Sequence, residues 1–363
     1  MTNAASRLED AALRVVSQQD VSQQDVEQQD VSQQAVSQQA VSRRAVLALP
    51  LLLASALGAC SSNKNDDVSG PGAQAGNGGP DELFAETASF ETVAGVPQRV
   101  MVGLTTRDGR VLHGGTVRFT FAPVTDDASA PTSPFSSDAS FLSVPRSTAP
   151  PPKATIGSAG DGIGIYEALD VTFPTSGFWT VTVEVALDPP QQIETAVEVV
   201  AKAQVPAPGE DAPKTENPTQ ASSEMPIEAI DSRSGPAGLD ELADPLLHRE
   251  SVASVLAEGR PCVVIVSTPA FCVSKFCGPL TDIVNDLADE ARKAGSDVGF
   301  VHLEVWRSFE KAEVNRFAAD WILTRGAEGR EPWIFLIDRT GKIAERWDNL
   351  VAEGELRSAI ASL

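Results

Sequence analysis

Cysteine is scarce in this chain of 363 residues: four occur, at positions 60, 262, 272 and 277. That is too few for a fold stapled by disulfides, so each cysteine needs its own account. Positive charge is also short, with 28 Lys and Arg against 50 Asp and Glu and a formal net charge of −22. That sign argues against nucleic acid as a partner, because phosphate binding needs a basic surface. Histidine and methionine number three each. They offer little third-ligand supply for thiolate-bound copper(I), so copper delivery is a remote reading and no metal ligands are assigned. Aromatic residues make up only 6%, yet the apolar share of 42% allows ordinary cores. The length suits two domains once a targeting segment is set aside.

A long hydrophobic run is missing too. From Val16 the sequence repeats every five residues (VSQQD, VSQQD, VEQQD, VSQQA, VSQQA, VSRRA). A period of five gives neither a helix nor a strand one stable apolar face, so residues 16–45 read as a solvated leader. The last repeat brings Arg43 and Arg44 in front of an apolar stretch, 48–56, that is too short for a membrane span. Basic residues, a short apolar stretch and small residues in that order make an export signal. Leu57-Gly58-Ala59-Cys60 resembles the lipobox of bacterial lipoproteins, in which the cysteine is acylated and becomes the first mature residue. The arginine pair resembles a twin-arginine signal, with Val46 where that family usually has Phe; a general secretory route gives the same address. These resemblances imply a leader over 1–59 and a lipid on Cys60 holding the chain outside the cell membrane. Residues 60–82, rich in Gly, Ser, Asn and Asp, read as a flexible tether.

Residues 83–203 read as all-β. Val100, Val102 and Leu104 alternate with polar neighbours, as do Val117, Phe119 and Phe121, and later FWTVTVEV continues the pattern. Short strands with turn signals between them predict an Ig-like sandwich whose protein partner the sequence does not identify. Residues 122–158, rich in Pro, Ser and Ala, read as a surface insertion. Residues 204–241 read as a Pro-rich linker, extended at its start. From 242 the texture changes. A helical stretch at 250–258 precedes PCVVIVS, an apolar run expected of a strand buried on both faces. An amphipathic helix over 278–295, a strand over 298–305, a helix over 311–322, a hairpin over 333–347 and a closing helix over 353–363 follow.

The segment Ser267-Thr268-Pro269-Ala270-Phe271-Cys272-Val273-Ser274-Lys275-Phe276-Cys277-Gly278-Pro279 resembles the reactive corner of thioredoxin-like proteins. Secreted thioredoxin-domain lipoproteins of actinobacterial type carry a similar TPAFC-x4-CGP run. The likeness covers about a third of the chain, residues 242–363. It implies an α/β thioredoxin-like fold at the C-terminus, preceded by the Ig-like sandwich and the lipoprotein signal. It also implies a catalytic pair, Cys277 and Cys272, with a substrate groove formed by Gly278, Pro279, Glu331, Pro332 and Trp333. The family's proline follows a cis peptide, and Glu331-Pro332 matches that position.

The C-x4-C spacing departs from the family's C-x-x-C, and so leaves open which cysteine attacks, although the CGP match favours Cys277. A reversible thiol–disulfide centre, a structural disulfide in a scaffolding or binding lipoprotein, and a thiol peroxidase all remain open. The favoured expectation is a membrane-anchored thiol–disulfide oxidoreductase acting on protein or small-molecule disulfides, without a cofactor. Cys262, within the apolar run, is expected to be inert, and His302 a core residue.

Overall fold

The computed structural model describes residues 79–124, 133–158, 163–222, 224–235, 238–272 and 274–363. Arg43, Arg44, Cys60 and residues 60–78 of the tether, on which the export and lipidation expectations fall, lie outside the described residues.

The larger unit holds ten strands: β1 (Leu83–Thr87), β2 (Thr92–Val93), β3 (Gln98–Thr106), β4 (Val111–His113), β5 (Thr116–Pro123), β6 (Phe135–Ser143), β7 (Thr155–Gly157), β8 (Gly164–Val171), β9 (Gly177–Val185) and β10 (Gln191–Val200). They join edge to edge in the order β2-β10-β9-β5-β6-β8-β3-β4-β7, with β1 on β3. Alternation decides which side chains enter the core. Val117, Phe119 and Phe121 point inward from β5, and Val181, Val183 and Val185 do the same from β9. Phe121, Phe135, Phe173 and Trp179 pack ring against ring at 5.1–5.9 Å, mostly edge to face, around one end of that core.

Strand β6 lies inside the segment expected to be a surface insertion. It pairs with β5 on one side and β8 on the other. Its inward residues, Ala139 and the half-buried Phe135 and Phe141, are spaced among serines, and its polar composition hid the alternation.

The smaller unit runs α1 (Val252–Ala257), β11 (Cys262–Ser267), α2 (Cys277–Ala294), β12 (Gly299–Glu304), β13 (Trp306–Ser308), β14 (Glu313–Val314), α3 (Arg316–Ile322), β15 (Trp333–Ile337), β16 (Ile343–Asp348) and α4 (Glu353–Ile360). Four of these strands form a sheet in the order β12-β11-β15-β16, with β11 and β12 parallel and the other neighbours antiparallel. The remaining two, β13 and β14, make a small ribbon. All six residues of β11 are buried because the sheet is covered on both sides. Val263 and Ile265 face Leu280, Ile283, Val284 and Leu287 of α2. Val264 and Val266 face Val252 and Val255 of α1 and Trp321 of α3. Each such aliphatic burial contributes about 1.5–3 kcal/mol relative to exposure. Helix α2 stops at Gly295, whose φ of 72° is the left-handed turn that glycine supplies. No helix among the described residues is long and apolar enough to cross a membrane.

The expected fold class is corrected by this architecture. Strand clearly outweighs helix among the described residues, and the dominant feature is a large mixed multi-strand sheet. The α/β thioredoxin-like class is therefore not retained for this chain. Nor does the first unit divide into the two separate sheets of an Ig-like sandwich, because β6 and β8 link its strands into one continuous sheet. Two physical causes lie behind the miss. The polar 122–158 segment supplies strand β6 and the short strand β7, and the helix expected over 311–322 is only seven residues long because 313–314 pair as strand.

The two units pack on each other. Met101, Val144 and Ile165 from the first share a core with Leu280, Trp347 and Leu350 from the second. Arg99 bridges them, donating to Glu167 at 2.8 Å, to the Leu350 carbonyl at 2.8 Å and to the Asp348 carbonyl at 3.0 Å. Residues 204–222 lie against the second unit: Val205 and Ala212 are buried in its core, and the Thr215 hydroxyl accepts the Trp321 indole N–H at 2.9 Å. Replacing Arg99 with Ala leaves Glu167 and two carbonyls short of a donor. It should lower the denaturation midpoint by about 2 kcal/mol of stability, measured by urea unfolding. An unchanged midpoint would show that the bridge contributes nothing to the packing.

Candidate functional site

Strand β11 ends at Ser267, and the chain then leaves the sheet for a polar loop before α2 begins. Cys272 lies midway along this loop and forms a disulfide with Cys277, where the helix begins, with their Cα atoms 5.9 Å apart. That separation falls within the usual range for such a bond. Cys277 is the first residue of α2 and is fully buried, whereas Cys272 is half-exposed. The Cys277 backbone N–H donates to Cys272 Sγ at 3.4 Å, and the Ser274 hydroxyl lies 3.2 Å from the same sulfur. Cys272 Sγ thus accepts the first backbone N–H of α2. Lys275 is exposed and takes the left-handed φ of 64°, turning the loop into the helix.

The base of α2 is fastened to the strand. Thr281 Oγ1 donates to the Cys277 carbonyl at 2.8 Å and lies 2.9 Å from Ser267 Oγ. One hydroxyl has one proton, so Ser267 donates to Thr281.

Around the corner, Gly278 and Pro279 are half-buried in the first turn of α2. The Glu331–Pro332 peptide is cis and stands where β15 begins, at the end of the ladder that pairs Trp333 with Val266. Pro332 is buried. Trp333 is buried as well, packed against Phe90 and Phe335 with the Arg346 guanidinium over its ring. A different aromatic group reaches solvent beside the cysteines. Phe271, next to Cys272, stacks on Phe309 at 4.3 Å, and Trp306 meets Phe309 edge-on at 5.6 Å. Phe271 is 36% exposed and Phe309 48% exposed. Cys262 is wholly buried in β11, and burial pushes its thiol far up, so it carries no thiolate at ordinary pH.

Beneath the corner lies a buried polar group in which His302 is joined by residues from distant parts of the sequence. Ser232 donates its N–H to Glu304 at 2.8 Å and accepts the Ala270 N–H at 3.1 Å, which ties 227–235 to the loop. Asp231 is fully buried between His248 and His302 and is clasped by Arg233 at 2.9 and 3.1 Å. Burial opposes the Asp231 charge, but the two imidazoles and the guanidinium outweigh it and hold the carboxyl far below its usual range. Burial lowers His248. Burial also opposes protonation of His302, yet the adjoining Asp231 raises it. Burial raises Glu304. Asp282 is exposed and pairs with Arg233 at 3.0 Å. Asp231 and His248 were missed because they stand 71 and 54 residues before His302. The scarcity of histidine was the one available signal, since two of the chain's three meet here.

No known protein-family model matches the chain, and no curated protein matches it. Among solved structures it is similar to BslA, a bacterial hydrophobin, at 15% identity and a TM-score of 0.19. That match covers 33% of this chain and 94% of the other.

Glu331 generates a pH prediction. Burial pushes it up to about 8 from an ordinary 4.5, and neighbouring Glu304 adds to the shift. The folded state favours the neutral acid, so its stabilising contribution is complete below the unfolded value and is lost as pH rises towards 8. Glu331 is half-exposed, and solvent screening limits the effect to about 1 kcal/mol. Glu331→Gln should therefore melt higher than the parent at pH 8 and the same at pH 4. Parallel melting curves at both pH values would contradict this.

Proposed function

We propose that the chain is an extracytoplasmic thiol–disulfide oxidoreductase whose working pair is Cys272 and Cys277. The observation that carries this reading is the asymmetry of the pair. Cys272 is half-exposed and accepts the first N–H of α2, whereas Cys277 is fully buried. Accessibility reverses the preference drawn from the CGP match: Cys272 is the attacking residue and Cys277 resolves.

In the reducing direction, the Cys272 thiolate attacks one sulfur of a substrate disulfide. A mixed disulfide forms and the other substrate sulfur leaves as a thiolate. Cys277 loses its proton to water and attacks Cys272 Sγ, releasing the second substrate thiolate and restoring the Cys272–Cys277 bond. An external dithiol then reduces the pair. The Phe271–Phe309 surface offers an apolar contact beside the attacked bond. Glu331, near neutrality in its titration, stands at the cis-Pro332 edge of the same corner. Export by the Arg43-Arg44 signal and a lipid on Cys60 suit this chemistry, because disulfides persist outside the cytoplasm.

Turnover of insulin disulfides by the full-length protein with dithiothreitol as donor tests the reading. Cys272→Ser and Cys277→Ser should each lower the rate at least about 100-fold with the fold intact by circular dichroism, while Cys262→Ser leaves it unchanged. Full activity in both single variants would overturn the mechanism. Absence of turnover in the parent would make the bond a structural one.

A further inference from the structure

We propose that Asp231, His248 and His302 form a buried site for one divalent transition-metal ion of the zinc type, separate from the cysteine pair. His302 projects from β12, His248 ends a 3₁₀ turn (Pro245–His248), and Asp231 follows another (Ile227–Ala229). Three segments distant in sequence thus converge on one point. His302 Nδ1 lies 3.4 Å from His248 Nε2 and 3.5 Å from Asp231 Oδ2, and the latter two are 3.5 Å apart. The three atoms make a nearly equilateral triangle, whose centre is its side divided by √3, or about 2.0 Å, from each corner. Zinc binds imidazole nitrogen and carboxylate oxygen at about that distance.

The same spacing suits direct hydrogen bonds poorly. Charge-assisted N–H···O bonds run about 2.7–2.9 Å, and a carboxylate alone between two imidazoles would draw them in to that range. The tautomer is also set for a ligand. His302 Nε2–H donates to the Ser267 carbonyl at 3.1 Å, leaving the Nδ1 lone pair aimed at the centre. A backbone carbonyl on the far nitrogen is the usual support of a metal-binding imidazole. Arg233 performs the equivalent task for the carboxylate, holding Asp231 by its Nε and Nη2.

Two nitrogens and one oxygen suit zinc, nickel or iron(II) better than calcium or magnesium. Asp231 and His248 are 0% exposed and His302 is 2% exposed, so no substrate reaches the centre. The ion's role is therefore structural: it pins 227–248 to β12 beneath the disulfide loop. One coordination position is left for water or another small donor.

The test uses untagged full-length protein with its cysteines oxidised, stripped with chelator and dialysed. Calorimetric titration with Zn²⁺ should give one site per chain, and the loaded protein should melt above the stripped one. Co²⁺ should give the visible spectrum of a nitrogen–oxygen site without thiolate charge transfer. His248→Ala and His302→Ala should each weaken binding at least about 100-fold, with the disulfide still formed as a sign of folding. The wild-type stoichiometry and Co²⁺ spectrum decide the matter even if a variant fails to fold. No stoichiometric binding, a thiolate-type spectrum, or undiminished binding by the folded double variant would overturn the proposal.

Discussion

The disulfide corner depends on where strand β11 stops. Its six residues are closed in by helices on both faces and paired with β12 and β15 along both edges, so a side-chain hydroxyl first appears at Ser267. At that residue the network begins: the Ser267 hydroxyl holds Thr281 and through it the Cys277 carbonyl, while the Ser267 carbonyl holds His302. A buried strand end must satisfy its polar groups or lose stability. Here the satisfaction of those groups fixes the start of α2, and so the position of Cys277 behind Cys272.

The second constraint is the strap of residues that crosses the smaller unit. Composition marks 204–241 as a linker, with five prolines in its first part and many charges. Yet Val205, Ala212 and Ala229 are buried, and Asn217 accepts the Val252 N–H at the head of α1. Proline limits the entropy that such a segment loses on ordering, so a stretch without helix or sheet can still be held in place. Through Ser232 the strap reaches the disulfide loop, and through Asp231 it reaches β12. Chemistry at the surface and polar packing beneath it are thus parts of one arrangement.

Much of the smaller unit was legible in the sequence because its signals are local. PCVVIVS reads as a doubly covered strand, the apolar stripe from Leu280 to Leu287 reads as a helix, and both are present. The resemblance of the 267–279 segment suggested the pair that is found bonded. What failed was the global class. A polar segment such as FSSDASFLS shows its strand character only when neighbours on both sides claim it, and no local pattern shows how ten strands join into one sheet. The buried cluster was hidden for the same reason. Asp231 lies in a turn of a Pro-rich stretch, and nothing near it in sequence indicates two imidazoles. The aromatic surface at Phe271 and Phe309 was equally out of reach, since 38 residues separate partners that stack at 4.3 Å.

The central claim is that the Cys272–Cys277 bond opens and closes reversibly. Its most direct test is a redox titration of the full-length protein, with thiols trapped and masses read at each potential. The account predicts a two-electron couple confined to Cys272 and Cys277, well above about −300 mV, with Cys262 free throughout. A bond that stays closed below that potential, or two cysteines that never pair, would contradict it.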